Sequence, residues 1–203
     1  MAIGCEDLFV TISRVFLARH GQTEWNLIRR RQGELDSPLT ALGVEQATRN
    51  AEVLRGQNID AIFTSPLGRA ARTAEIIAAA VGVPVVVVNE LSEVRHGRFA
   101  GLSNVEIRMR HPAAFVRRSK DRYHWRFPDG ESYADADQRA EGALAVVGEH
   151  GAASPLIVSH EMIGRMLLRN LLLLDPREAL GLTHPNDVIY EVDVASRTMR
   201  LVG

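Results

Sequence analysis

Short apolar runs rich in β-branched residues recur along the chain and alternate with stretches of helical periodicity. The runs lie at residues 14–18, 61–65, 83–88, 155–159 and 188–194. Strands that are apolar throughout and alternate with helices are typical of a mostly parallel sheet covered on both faces. After the last run, "ASRT" leads into "MRLV" at 199–202, which predicts a closing antiparallel hairpin at a sheet edge. The pattern predicts one α/β domain over residues 1–203.

Two of the intervening stretches carry clear helix signals. The first spans residues 40–56, with Thr40 as a suitable N-cap and Gly56 as a suitable stop. Its buried face is predicted to consist of Val44, Ala47, Ala51 and Leu54. The second spans residues 65–82, with Ser65 predicted as the N-cap and Gly82 as the residue that ends the helix.

Four polar side chains follow predicted strands, namely His20, Arg69, Glu93 and His160. Ligands of open α/β sheets bind beyond the carboxyl ends of the strands, so we expect these residues to share one site. A single histidine at a strand end would more often be structural; the joint set favours catalysis. Gly21 is expected to let the backbone turn tightly and to admit a ligand closely.

This set of residues favours phosphoryl transfer through a histidine. The chain has no paired zinc-ligand motif and no glycine-rich phosphate loop. A neutral imidazole is a competent nucleophile near pH 7, and neighbouring arginines favour its neutral form. Glu93 is a candidate general acid if burial keeps its carboxyl protonated. The alternative for Glu93 is a surface ion pair with Arg95 or Arg98.

Composition narrows the choice of partners and compartment. The formal net charge is −1, which gives no basic field for nucleic acid or an anionic membrane. Cys5 is the only cysteine, so an internal disulfide is excluded. Glu6 and Asp7 stand where a signal peptide needs a basic start, and the apolar segment 166–174 is too short to span a bilayer. We therefore expect a cytoplasmic protein without nucleic-acid or membrane partners.

Arginine is the default cation of this chain. It supplies 23 of the 24 basic residues, and Lys120 is the exception. A single arginine is therefore weak evidence of phosphate binding unless it lies in a motif.

Five motifs carry a family resemblance. They are "ARHGQTEWN" (18–26), "RRRQGELDSPLTALG" (29–43), "SPLGRAARTAE" (65–75), "LSEVRHGRFAGLS" (91–103) and "LIVSHEMIGRMLL" (156–168). In this order they resemble the motifs of the histidine phosphatase superfamily, in its phosphoglycerate mutase-like branch. The resemblance implies a three-layer α/β/α sandwich and a reaction without a metal or other cofactor.

The resemblance also implies a role for each matching residue. His20 would be the phosphorylated nucleophile and Glu93 the proton donor. The phosphoryl group would be held by Arg19, Arg69 and His160. The substrate side would be lined by Asn26, Gln32 and Gly33.

The segment around residues 103–130 bears on the choice between phosphatase and mutase. "RYHWRFPDGES" (122–132) resembles the fructose 2,6-bisphosphatase-like members, which favours hydrolysis of a small phosphorylated metabolite with a second anionic group. "VRRS" (116–119) resembles a mutase loop, so phosphoglycerate mutase activity is the alternative, and a non-catalytic regulator that binds phosphate esters is a third. Seven basic residues between Arg108 and Arg126 predict either a lid over the substrate or a solvated helical face. A homodimer is compatible with the sequence.

Overall fold

A single six-stranded sheet organises the chain, of which the computed structural model describes residues 12–202. Cys5, Glu6 and Asp7 lie outside the described residues. The strands are β1 (Arg14–Arg19), β2 (Ile62–Thr64), β3 (Val85–Val87), β4 (Leu156–Ser159), β5 (Ile189–Asp193) and β6 (Thr198–Val202). Their order across the sheet is β3-β2-β4-β1-β5-β6. β1 to β4 are parallel, whereas β5 runs antiparallel to β1 and β6 antiparallel to β5. The predicted mostly parallel sheet and its antiparallel C-terminal hairpin are confirmed.

Helices cover both faces of this sheet. They are α1 (Glu24–Leu27), α2 (Ala41–Leu54), α3 (Gly68–Val81), α4 (Asn104–Arg110), α5 (Pro112–Lys120), α6 (Tyr133–Glu149), α7 (Glu161–Leu172) and α8 (Pro176–Gly181). Side chains of β1 point alternately to the two faces. Val15 and Leu17 join the core formed with α6 and α7, whereas Phe16 and Ala18 join the core formed with α2 and α3. The three-layer sandwich is therefore confirmed.

Helix ends follow the sequence signals except at Gly56 and Ser65, since α2 ends at Leu54 with Arg55 as its C-cap, before Gly56 is reached. The Thr40 hydroxyl accepts the Gly43 N–H and caps α2, and Gly82 ends α3 in the left-handed region at φ +75°. Ser65 is not the N-cap of α3, because the chain first makes a turn in which the Ser65 hydroxyl accepts the Leu67 N–H, and the helix begins at Gly68.

The buried face of α2 is shifted from the predicted one. Val44 is 41% exposed, while Ala47, Ala51 and Leu54 are buried as expected. The reason is a close backbone approach at the start of the helix. A Cβ on Gly43 would lie 2.0 Å from the Gln22 carbonyl oxygen, and a Cβ on Gly21 would lie 2.2 Å from the Gly43 carbonyl oxygen. Gly21 is thus required by contact with α2, and its φ does not lie in the left-handed region.

The pairing of β1 with β4 sets the position of the two candidate histidines. Arg19 is paired with Ser159 across these two strands. His20 and His160 therefore leave adjacent strands at the same level, at the carboxyl edge of the sheet.

Candidate active site

A cavity of about 340 Å³ opens at this edge of the sheet, and its wall is rich in arginine. The lining arginines are Arg19, Arg29, Arg30, Arg31, Arg69, Arg118, Arg122 and Arg165. His20 and Glu93 also line the cavity. Such a concentration of guanidinium groups favours an anionic ligand.

His20 is buried, and its hydrogen bonds define its tautomer. Nδ1 lies 2.8 Å from the carbonyl oxygen of Gly21, which can only accept, so Nδ1 carries the proton. Nε2 accepts from Arg69 Nε at 3.3 Å and so holds the lone pair. Burial first, and then the positive charges of Arg19 and Arg69, hold the pKa of His20 well below its ordinary value of 6.5. The imidazole is therefore neutral, and the nitrogen with the lone pair faces an arginine.

Arg69 is a buried link between helix α3 and the loop before α2. Its Nη1 donates to the Leu35 carbonyl at 2.7 Å and to Asp36 at 2.9 Å, and its Nη2 donates to the Gly33 carbonyl at 2.9 Å. Nε points at His20. A bidentate clamp through Nη1 and Nη2 is therefore already occupied by the loop, and Nε is the donor directed into the site.

Arg19 also lines the cavity and contacts two other residues. Its Nη1 donates to the His184 carbonyl at 3.1 Å and lies 3.2 Å from Glu161. Its Nε is buried and has no partner among the described residues. An unpaired buried donor is unfavourable, so an anion that accepts from this N–H would be stabilised there.

Glu93 lies at the N-terminal end of α7. One carboxylate oxygen accepts the N–H groups of Val94 at 2.9 Å and Ile163 at 3.1 Å, and the other accepts the Met162 N–H at 3.2 Å. Its exposed fraction is 7%. The alternative of a surface ion pair is wrong, because Arg95 and Arg98 contact other carboxylates.

His160 lies behind His20 and does not line the cavity. The two ring centroids are 5.2 Å apart. His160 Nε2 lies 2.8 Å from the Ser65 hydroxyl, and its Nδ1 has no partner among the described residues. Burial, followed by the charge of Arg69, holds the pKa of His160 well below its ordinary value. His160 therefore lies next to His20 but behind the wall of the cavity.

The three candidates for the substrate side, Asn26, Gln32 and Gly33, all line the cavity. Asn26 accepts from the Thr23 N–H at 3.1 Å, and Gln32 accepts from the Ser37 hydroxyl at 3.1 Å. Gly33 has φ +56°, and a Cβ there would lie 3.0 Å from His96. These contacts position the loop that also holds Arg69.

Only part of the basic segment, residues 108–126, reaches the cavity. Of its seven basic residues, Arg118 and Arg122 line the cavity. Arg118 donates to the Tyr133 hydroxyl at 2.8 Å, and Arg126 instead pairs with Asp135. The segment is therefore partly a wall of the site and partly a solvated face.

Three side chains at or beside the site were not among the candidates, although two of them, Glu161 and His96, lie within the quoted motifs. Glu161 bridges Arg19 and Arg165, and its place directly after His160 is the single hint of its role. His184 and His96 are buried, and burial with nearby arginines lowers the pKa of each to about 3. Both come from loops far along the chain from His20.

Two further features, a metal-binding cluster and a membrane-spanning helix, are absent from the described residues. Within residues 12–202, no three or more His, Cys, Asp or Glu side chains are grouped so that they could hold a metal ion. In the same part of the chain, no helix combines the length and the apolar composition needed to cross a membrane.

Known structures share this fold. The α-ribazole phosphatase from Shigella flexneri superposes with a TM-score of 0.85 at 25% identity, over 93% of this chain and 95% of that chain. A mycobacterial glucosyl-3-phosphoglycerate phosphatase in complex with VO₃ gives a TM-score of 0.80 at 29% identity, over 93% and 97%. The chain therefore shares its fold with these phosphatases.

The sequence comparison places the chain in that family. The model of the histidine phosphatase superfamily (branch 1) matches residues 15–203, and the chain belongs to this superfamily. A curated relative from Yersinia enterocolitica, named "Probable phosphoglycerate mutase GpmB", is 39% identical over 181 residues, which is 89% of this chain and 84% of the relative. The predicted family is confirmed.

Proposed function

We propose that the protein is a phosphatase that hydrolyses a small phosphate monoester through a phosphohistidine on His20, with Glu93 as the proton donor. The observation that carries the proposal is the neutral His20 imidazole, whose Nε2 lone pair faces Arg69 in an arginine-lined cavity. Structural neighbours named as phosphatases support hydrolysis.

In the first step, His20 Nε2 attacks phosphorus and the ester P–O bond breaks. The arriving phosphate oxygens take over the Arg69 Nε–H, which frees the lone pair of Nε2 for attack. The buried N–H of Arg19 offers a second donor to the same oxygens. Stabilisation of the equatorial oxygens is the main requirement of phosphoryl transfer, and the arginines supply it without a metal ion.

The departing alkoxide oxygen takes a proton from Glu93. In the second step, water attacks the phosphohistidine, Glu93 accepts the proton of that water, and inorganic phosphate leaves from His20. The N–H groups at the start of α7 orient the carboxyl group of Glu93, which must carry a proton when the ester binds. Because the same group donates and then accepts, it ends the cycle in its starting state.

The outer wall of the cavity favours a substrate with a second anionic group. Arg31, Arg118 and Arg122 line it, and no carboxylate of residues 12–202 lies within 4.0 Å of their guanidinium nitrogens. Burial lowers the pKa of Arg31, and the charge of Arg118 lowers it further. Phosphorylated acids and bisphosphates are therefore better candidates than a neutral sugar monophosphate.

A mutase is the second candidate, because curated relatives carry the name of a phosphoglycerate mutase. The difference lies in the acceptor of the phosphoryl group, which is water in a phosphatase and a substrate hydroxyl in a mutase. The two activities are separated by measuring phosphate release against isomer interconversion with 3-phosphoglycerate. Dominant interconversion would assign the mutase function instead.

Acid-quench experiments test the mechanism. With a radiolabelled phosphate ester from a screen of phosphorylated metabolites, the enzyme should form a phosphoenzyme in a burst. The bond between phosphorus and the enzyme should be acid-labile. His20→Ala should lose both the burst and the turnover, and EDTA should change neither. Loss of activity with EDTA would contradict the proposal, and binding without turnover on the whole panel would favour a regulatory module.

A further inference from the structure

Behind Glu93, on the side away from the cavity, lies an ion pair that the proposed mechanism leaves unused. Arg139 of α6 and Glu131 of the preceding turn form a two-point contact, with Nε to Oε1 at 3.1 Å and Nη2 to Oε2 at 3.0 Å. Glu131 is 6% exposed, and neither residue lines the cavity. A largely buried ion pair of this kind is costly unless further hydrogen bonds satisfy it.

Those further bonds converge on the segment that carries Glu93. Arg139 Nη1 donates to the carbonyl oxygens of Glu90 at 2.6 Å and Ser92 at 2.7 Å, and Nη2 donates to that of Glu93 at 3.4 Å. One edge of the guanidinium thus holds Glu131 and the other holds the main chain on both sides of the candidate acid.

Glu131 fixes the same segment two residues after Glu93, at Arg95. Its carboxylate accepts the Arg95 N–H at 2.9 Å, and its own N–H donates to the Arg95 carbonyl at 2.9 Å. The main chain before and after Glu93 is therefore held from behind, while its carboxylate meets the N–H groups of α7 in front.

We propose that Arg139 and Glu131 are positioning residues that fix Glu93 at the leaving-group side of the cavity. This inference rests on the proposed function of Glu93 as the proton donor. A displacement of about 1 Å in a catalytic group can cost roughly 10²-fold in rate, so loss of this support should weaken proton donation while His20 and the phosphate donors stay in place. The defect then depends on how much the leaving group needs a proton.

A leaving-group series measures this dependence. kcat/KM is determined for p-nitrophenyl phosphate, whose leaving group departs without a proton, and for alkyl phosphates, whose alkoxides need one. Glu131→Gln and Arg139→Lys should lose roughly 10²-fold with alkyl phosphates and at most a few-fold with p-nitrophenyl phosphate. Circular dichroism and thermal melts select the variants that fold, and the near-isosteric Glu131→Gln keeps the test decisive if Arg139 variants do not.

Two reference variants separate the possible failures. Glu93→Gln should show the steepest leaving-group dependence; if it shows none, the proposed acid role of Glu93 is wrong. If Glu93→Gln shows it and the Glu131 and Arg139 variants lose equal activity on all substrates, or none, the positioning role is wrong. Arg126→Ala is the matched control, because this arginine bonds the same turn through the Gly130 carbonyl without contacting the Glu93 segment, and it should leave the series unchanged.

Discussion

The titration of His96, which lines the arginine-rich cavity, makes the free energy of unfolding depend on pH. Its ring is 6% exposed, packs on Phe127 at 4.6 Å between centroids, and has no hydrogen-bond partner for either nitrogen among the described residues. Burial, followed by the charges of Arg31, Arg118 and Arg69, lowers its pKa to about 3. In the unfolded chain the ordinary value of about 6.5 applies.

The sign of the effect follows from these two values. Below about pH 6.5 the unfolded chain takes up a proton at this position, and the folded protein does not until about pH 3. The folded state is therefore destabilised as the pH falls through this window. The expected cost from His96 alone is close to zero at about pH 8 and about 2 kcal/mol at about pH 5.

Replacement of His96 by Phe removes this titration and keeps an aromatic ring against Phe127. Urea unfolding of the wild type and His96→Phe at several pH values between about 5 and 8 gives the free energies of unfolding. We expect the variant to gain about 1.4 kcal/mol relative to the wild type for each pH unit below about 6. His96→Leu should show the same slope, since a packing defect shifts the difference equally at every pH. A difference that stays constant across this range would refute the reasoning.

The remaining predictions concern two glycines, Gly21 and Gly142, and the pH dependence of the reaction. Gly21→Ala should destabilise the protein by about 1–3 kcal/mol or more, because its Cβ would lie 2.2 Å from the Gly43 carbonyl oxygen. Gly142→Ala, at an exposed position of α6 with nothing within 4 Å, should instead stabilise it by about 0.5–1 kcal/mol, and thermal melts compare the two. In kinetics, the low pKa of His20 predicts that the acid limb of kcat/KM attributable to the enzyme lies well below pH 6.5. A limb centred at or above that value, after correction for the ionisation of the substrate, would contradict the tautomer and charge assigned to this residue.

Sequence patterns were sufficient to predict the secondary-structure elements of the sheet and the strand ends at which polar side chains collect. β1 and β4 are central strands buried on both faces, so their sequences are apolar almost throughout, and the break in that pattern at His20 and His160 is visible. The edge strand β3 is less regular, because Val85 and Val87 are partly exposed there and the apolar run overstates its length.

The surroundings of Glu93 could not be read from the sequence. Arg95 and Arg98 are its nearest cations along the chain, which made a local ion pair plausible. In three dimensions the turn after α5 supplies carboxylates to both arginines, and α7, about 70 residues away, supplies the N–H groups that hold Glu93. Contacts between residues so far apart along the chain are set by the topology of the fold. In a chain with so many arginines, the sequence does not favour one ion pair over another.

The shared level of His20 and His160 on two hydrogen-bonded strands has a consequence for how this protein can be altered. Their separation is fixed by the spacing of adjacent strands in the middle of the sheet, so no substitution on the surface can adjust it. The outer wall, in contrast, is built from Arg31, Asn104, Arg118 and Arg122, which belong to no strand. Insertions and substitutions in that wall should therefore change which ester is accepted, while the spacing of the two histidines stays the same. Libraries of variants made to change the substrate preference should target the wall.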